Sequence, residues 1–217
     1  MKQMIVKRLP EKHYEASRLP ALLDGEDIPF GQIDCVNWVE GYPYAPKVGF
    51  RIAHAGDRIL LHYRVEEGSV ASMAGHDNGR VWEDSCCEFF SVPAADGLYY
   101  NMECNCTGTL LIGSGAEREG RTLAPEEVLR SVDRWSSLGS RPFKERVGKV
   151  RWELALVIPV SAYFRSQVGS LSGQVFKANF YKCGDKLERP HFLSWNPINI
   201  AKPDFHRPDF FGELRFE

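Results

Sequence analysis

The sequence predicts an all-β fold, an antiparallel β-sandwich of jelly-roll type with one or two short helices. Three observations predict it. Apolar and polar residues alternate at period two in stretch after stretch. Gly, Pro, Asn and Asp cut that pattern into short segments, as in GDR, HDNG, PAADG and KCGD. Helical spacing is scarce, and many short strands with scattered helix mark sandwiches and barrels. A length of 217 residues suits one large all-β domain, so residues 1–217 are read as a single unit.

The strands follow in order. Val48, Phe50 and Ile52 alternate with polar or small residues, and Ile59, Leu61, Tyr63 and Val65 do so against Arg58, Leu60, His62 and Arg64. Further strands are expected over 86–92, 98–106 and 109–112. Pro125, with Glu126 and Glu127 in the first turn, starts a short helix over 125–132. The polar stretch 139–148 reads as a loop. Val150, Trp152, Leu154, Leu156 and Ile158 form the clearest alternating strand, ended by Pro159, and 161–165 reads as a further turn of helix. Strands over 175–181 and 212–216 complete the set. Between them, 187–211 is long, rich in Pro and aromatics and weakly periodic, and a loop of that length covers or binds something.

Composition narrows the function. The net charge of −2 argues against a phosphate backbone as the main partner. No run approaches the eighteen apolar residues of a membrane-spanning helix. Residues 1–10 lack an apolar core for secretion, so the expectation is a cytoplasmic chain, or a secreted one already trimmed. The six cysteines, Cys35, Cys86, Cys87, Cys104, Cys106 and Cys183, do not space as a zinc knuckle and are expected as buried free thiols. No phosphate loop, GxSxG or HExxH occurs.

Three clusters carry functional chemistry. In 81–90, Trp82 stands where a loop enters a strand, and pleating puts Cys86, Glu88 and Phe90 on one face with Cys87, Phe89 and Ser91 on the other. Glu88, acidic within an apolar strand, either faces water or has a defined partner. In the next strand Asn101, Glu103 and Asn105 share one face, while Tyr100, Met102, Cys104 and Cys106 share the core face. The polar row is either plain solvent-facing surface or a floor for sugar hydroxyls, which both donate and accept. The third cluster is Phe192-Leu193-Ser194-Trp195-Asn196-Pro197, preceded by Asn179, Tyr181 and Lys182. Trp82 and Trp195 are either core residues or stacking platforms.

The run WEDSCCEFF, the segment NFYKCGD, and the tail SWNPI followed by FHRPDFFGELRF resemble, in order, the motifs of family 9 carbohydrate-binding modules. The resemblance runs from about Trp82 to Phe216. It implies a β-sandwich that holds a mono- or oligosaccharide between two Trp rings, without chemistry of its own. Trp82 and Trp195 would be the rings and Glu88 an acceptor, with Asn196 and Lys182 as helpers, Lys182 standing where the family more often has Arg. Family members can hold structural calcium, although no Asp-rich loop here has a recognisable calcium spacing. Two rivals remain. Glu83, Asp84, Glu88 and Glu103 could supply the carboxyl pair, roughly 5–10 Å apart, of a glycoside hydrolase; or the Trp-rich loops could bind protein. His191 and His206 could join Cys183 at a metal, but each sits beside Pro and is expected to hydrogen-bond loop backbone.

Overall fold

A computed structural model describes all 217 residues, Met1–Glu217. The early strands are β1 (Gln3–Arg8), β2 (Gly31–Gln32), β3 (Cys35–Val36), β4 (Lys47–His54) and β5 (Arg58–Ser72). The middle ones are β6 (Cys86–Val92), β7 (Tyr99–Asn105), β8 (Leu110–Gly115), β9 (Thr122–Leu123) and β10 (Asp133–Ser136). The last are β11 (Phe143–Pro159), β12 (Val175–Cys183), β13 (Phe192–Ser194) and β14 (Gly212–Phe216), and the helices are α1 (Leu19–Gly25) and α2 (Glu126–Ser131).

The strands run β10-β11-β5-β4-β1-β14-β12-β6-β7-β8-β9, folded over at β1 into two facing layers of a sandwich. The first four residues of β1 pair with β14 in one layer, Gln3 opposite Glu213. Its last two residues pair with Ala53 and His54 of β4 in the other. Both pairings are parallel, so the sheet is mixed and the expectation of a purely antiparallel sandwich is corrected. The reason lies in connectivity: the first and last strands lie side by side at the seam, where no hairpin constrains their direction.

Period two decides which side chains meet between the layers. Phe50, Leu61, Tyr63, Trp152 and Leu154 from one layer pack against Phe89, Met102, Phe176 and Phe180 from the other. The opposite face of β5 and β11 presents Leu60, Ala155 and Val157 to Leu19 and Leu23 of α1. The outer face of the second layer presents Cys86, Phe90, Tyr99 and Tyr181 to a cover that includes Ile198, Phe205 and Phe211 of the long segment. Tyr181 and Phe205 stack with centroids 4.1 Å apart. That segment therefore roofs part of a sheet, as its length and aromatic content imply, and it contributes β13 alongside β12.

Two local expectations change. The helix over 125–132 forms as α2, and 161–165 reduces to a single 3-10 turn at Val160–Ala162. Residues 143–148, read as loop, belong to β11, which pairs with the far half of β5. Bulges between Phe143 and Arg146 and between Val147 and Val150 break the alternation there, so no period was readable. All six cysteines are free thiols, five buried and Cys35 half-buried.

Candidate functional site

Register puts the polar residues together. On the outer face of the second layer, Glu88 of β6 lies directly opposite Glu103 of β7, and Tyr181 of β12 lies on its other flank. Asn101 stands two residues from Glu103, on the same face, opposite Gly113 of β8. Gly113 leaves the room that the Asn101 amide occupies, since a Cβ there would come within 2.5 Å of Asn101 Oδ1. Trp82 sits on a 3-10 turn, Val81–Glu83, ahead of β6. The Asp84 carboxylate fixes that turn by accepting from Met73 N at 2.7 Å and Ala74 N at 3.0 Å. The Trp82 carbonyl in turn accepts from Asp185 N at the end of β12.

These elements enclose a cleft of about 360 Å³. Glu88, Asn101, Glu103 and Cys183 form its floor, and Trp82, Phe90, Phe192 and Phe205 supply aromatic wall. Arg118, Arg121, Asp185, Asp204 and His206 bring charge and polarity to the rim. Apolar walls with a few convergent polar groups are the usual make-up of a small-ligand site.

The floor is an ordered chain of hydrogen bonds. Arg121 Nε donates to Asn101 Oδ1 at 2.8 Å, Asn101 Nδ2 donates to Glu103 Oε1 at 2.8 Å, and Cys183 Sγ donates to Glu88 Oε1 at 3.0 Å. The Arg121 guanidinium lies 4.0 Å over the Tyr99 ring. Glu103 Oε2 is buried and has no partner. Burial, then the neighbouring Glu103, holds the Glu88 carboxyl well above the ordinary glutamate range. Burial pushes Glu103 up to about 7, and burial with the nearby Glu83 pushes Asp185 up to about 6. Near neutrality Glu103 stands between donor and acceptor forms, which is what ligand hydroxyls can use. Burial, then Arg121 and Arg118, pushes His206 down to about 3, so its ring is neutral. Tyr99 Oη lies 2.9 Å from His206 Nδ1. A Tyr99 hydroxyl donating there leaves His206 Nε2–H as a donor at the cleft.

Four of the sequence-predicted site residues, Trp82, Glu88, Asn101 and Glu103, line this cleft. The other four do not. Trp195 is buried between the layers, edge-on to Phe50 and Phe180, so a clamp of two Trp rings does not form. Lys182 alternates with Tyr181 and Cys183 and so points inward with Phe180; its Nζ pairs with Glu67 Oε2 at 2.9 Å and meets His191 Nε2 at 2.8 Å. Asn105 shares the face of Asn101 but lies beneath the Trp82 turn, giving Nδ2 to Ser72 Oγ and Asp84 Oδ2. Asn196 ties the chain ends together, accepting from Lys2 N and donating to the Phe210 carbonyl.

Reasoning from sequence missed Arg118, Arg121, Asp185, His206 and Phe205. Arg118 and Arg121 sit in an aperiodic loop that carried no signal. Asp185 belongs to the KCGD turn, noted only as punctuation. His206 bonds a tyrosine hydroxyl rather than loop backbone, whereas His191 Nδ1 does bond the Arg189 carbonyl at 2.9 Å. Asp84 is occupied in capping main-chain amides, and Glu83 pairs with Arg80 at 3.3 Å. No three acidic side chains gather where calcium could sit. The closest ligand group is Cys86, Glu88 and Cys183, with two sulfurs where calcium takes oxygens. Asp77, in the loop between β5 and β6, is held by Arg134 at 2.8 Å.

A β-sandwich with an aromatic-walled polar cleft on one sheet face is the build of a carbohydrate-binding module. The chain belongs to carbohydrate-binding family 9, whose sequence profile matches residues 17–216. It is 57% identical to a candidate carbohydrate-binding protein of Bacteroides uniformis ATCC 8492, with a TM-score of 0.97 and coverage of 100% of this chain and 99% of that one. A family 9 module of Caldicellulosiruptor kristjanssonii in complex with cellotriose shares the fold at 10% identity and a TM-score of 0.59, covering 100% and 94%. The same organism's module in complex with glucose aligns at 9% identity and a TM-score of 0.50, covering 100% and 96%. No curated protein matches the sequence.

Proposed function

We propose that the chain binds a mono- or oligosaccharide in the cleft, without chemistry of its own, with the Trp82 ring as stacking face and Glu88, Asn101 and Glu103 as hydroxyl partners. One observation carries this: a partly exposed Trp beside a row of buried, hydrogen-bonded polar side chains, in a chain of a carbohydrate-binding family. Phe192 and Phe205 take the part first expected of Trp195 and supply further apolar wall. The glucose and cellotriose bound by the Caldicellulosiruptor modules make glucose units the first ligands to try. Glu88 and Glu103 stand side by side on one floor, as neighbours across two strands. A glycosidase pair must flank the scissile bond, so binding is the better reading.

Calorimetric titration with glucose, cello-oligosaccharides and other mono- and oligosaccharides tests it. Dissociation constants of roughly micromolar to millimolar are expected, weakened about tenfold or more by Trp82→Ala as the stacking and burial contribution is lost. Absence of binding across such a panel, by a folded wild type, would overturn the reading. Turnover of a chromogenic glycoside would replace it with the enzyme.

A further inference from the structure

We propose that the cleft selects saccharides carrying a free amino group, held as an ammonium between Glu88 and Glu103; this rests on the saccharide reading above. The two carboxyls occupy directly opposed positions on neighbouring strands and the same face. Ionised, two carboxyls so placed repel unless a cation lies between them. Nothing in the protein supplies the cation. Glu88 receives a thiol, Cys183, and Glu103 receives an amide, Asn101. Lys182, next along β12, is turned to the other face and spent on Glu67. Arg121 gives Nε to Asn101 and its other nitrogens to the carbonyls of Glu117, Tyr99 and Gly113. Arg118 pairs with Asp204 at 3.4 Å.

Glu103 is only 5% exposed, yet Oε2 has no hydrogen-bond partner. A buried acceptor left unmade is costly, so a ligand donor at that point gains more than an exposed contact would. A neutral hydroxyl offers one proton and no charge. An ammonium offers three donors and a positive charge, enough to bond both carboxyls and offset their repulsion. Lys182 and Arg121 exert some positive potential on the pair, but neither places a nitrogen on it. Asp185, at the end of β12, adds negative potential, and Arg121 and Arg118 are each already engaged. Burial favours the protonated forms of both acids, so uptake of an ammonium, which favours the ionised forms, releases protons from the pair.

The test is calorimetric titration of the wild-type chain with glucosamine, glucose and N-acetylglucosamine at pH 7, in two buffers of different ionisation enthalpy. The expected result is glucosamine binding at least about tenfold tighter than either neutral sugar, with a buffer-dependent heat that reports proton release. Glu103→Gln, checked for folding by circular dichroism, should bring the glucosamine-to-glucose ratio close to one. N-acetylglucosamine removes the charge from the ligand and leaves the protein intact, so the comparison stands even where that variant is unstable. Equal affinity for glucose and glucosamine, or N-acetylglucosamine as tight as glucosamine, overturns the amino-sugar proposal and leaves saccharide binding standing. Failure of all three sugars, and of oligosaccharides, overturns both.

Discussion

Trp82 and Trp195 show how differently one residue type is used. Trp195 fills the core against Phe50 and Phe180, and its ring also lies against Gly212, where a Cβ would come within 2.5 Å of it. Trp195→Ala should therefore cost about 3–5 kcal/mol of stability, as large aromatic deletions in cores do, and urea unfolding would measure it. Trp82 is partly exposed at the cleft wall, so Trp82→Ala should cost much less stability while weakening sugar binding. The reverse pattern would mean that the roles had been exchanged. Lys182 makes a second residue-scale case. It is fully buried with Glu67, whose other oxygen accepts from Trp152 Nε1 at 2.6 Å. Lys182→Met strands a buried carboxylate and should cost about 3–5 kcal/mol. Adding Glu67→Gln, which keeps an acceptor for Trp152, should recover much of it in a double-mutant cycle.

At the scale of elements, the site depends on how β6, β7 and β8 register. Gly113 is the sensitive point, because it leaves the room in which Asn101 bridges Arg121 and Glu103. Gly113→Ala should push Asn101 aside and weaken ligand binding severalfold while the strands stay paired; unchanged affinity would show that Asn101 has no part in binding. Much of this layer was legible from alternation alone. The split of Glu88 from Phe89, and of Asn101 and Glu103 from Met102, follows directly from the pleat. The same rule applied to β12 would have put Lys182 with Phe180 on the core face and removed it from the candidate site. Other features were not legible, for physical reasons. β1 is short and pairs with strands at a great distance along the chain. The outer part of β11 is bulged and exposed. The rim arginines, Asp185 and His206 reach the cleft through turns and irregular segments, where sequence spacing does not fix direction.

At the scale of the whole molecule, two sets of buried titrating groups oppose one another. Burial, joined at His206 by Arg121 and Arg118 and at His62 by Arg51, lowers His206 to about 3 and His62 to about 4, and burial lowers His54 and His191 as well. These rings fold neutral, so as pH falls below the ordinary histidine value of 6.5 the unfolded chain takes up protons that the folded chain refuses, and stability drops. The acids work the other way. Glu103 is raised by burial from 4.5 to about 7, and burial raises Glu88 as well. Their folded carboxyls keep protons that the unfolded chain has released. The Glu103 contribution is fully present below 4.5 and is lost as pH rises through about 7, and that of Glu88 is likewise lost on the alkaline side. Stability should therefore peak between about pH 6 and 7 and decline on both sides, as thermal unfolding from pH 4.5 to 8.5 would record. Glu103→Gln separates the two sets. It removes one acid and no histidine, so the acid limb should persist while the alkaline limb becomes shallower. Relative to wild type the variant should gain, between pH 5 and 8, about 2.5 kcal/mol, set by the interval between the unfolded and folded values of one carboxyl. Parallel curves for the two proteins would mean that Glu103 ionises as freely in the fold as in the unfolded chain, and that the cleft floor is wetter than its burial indicates.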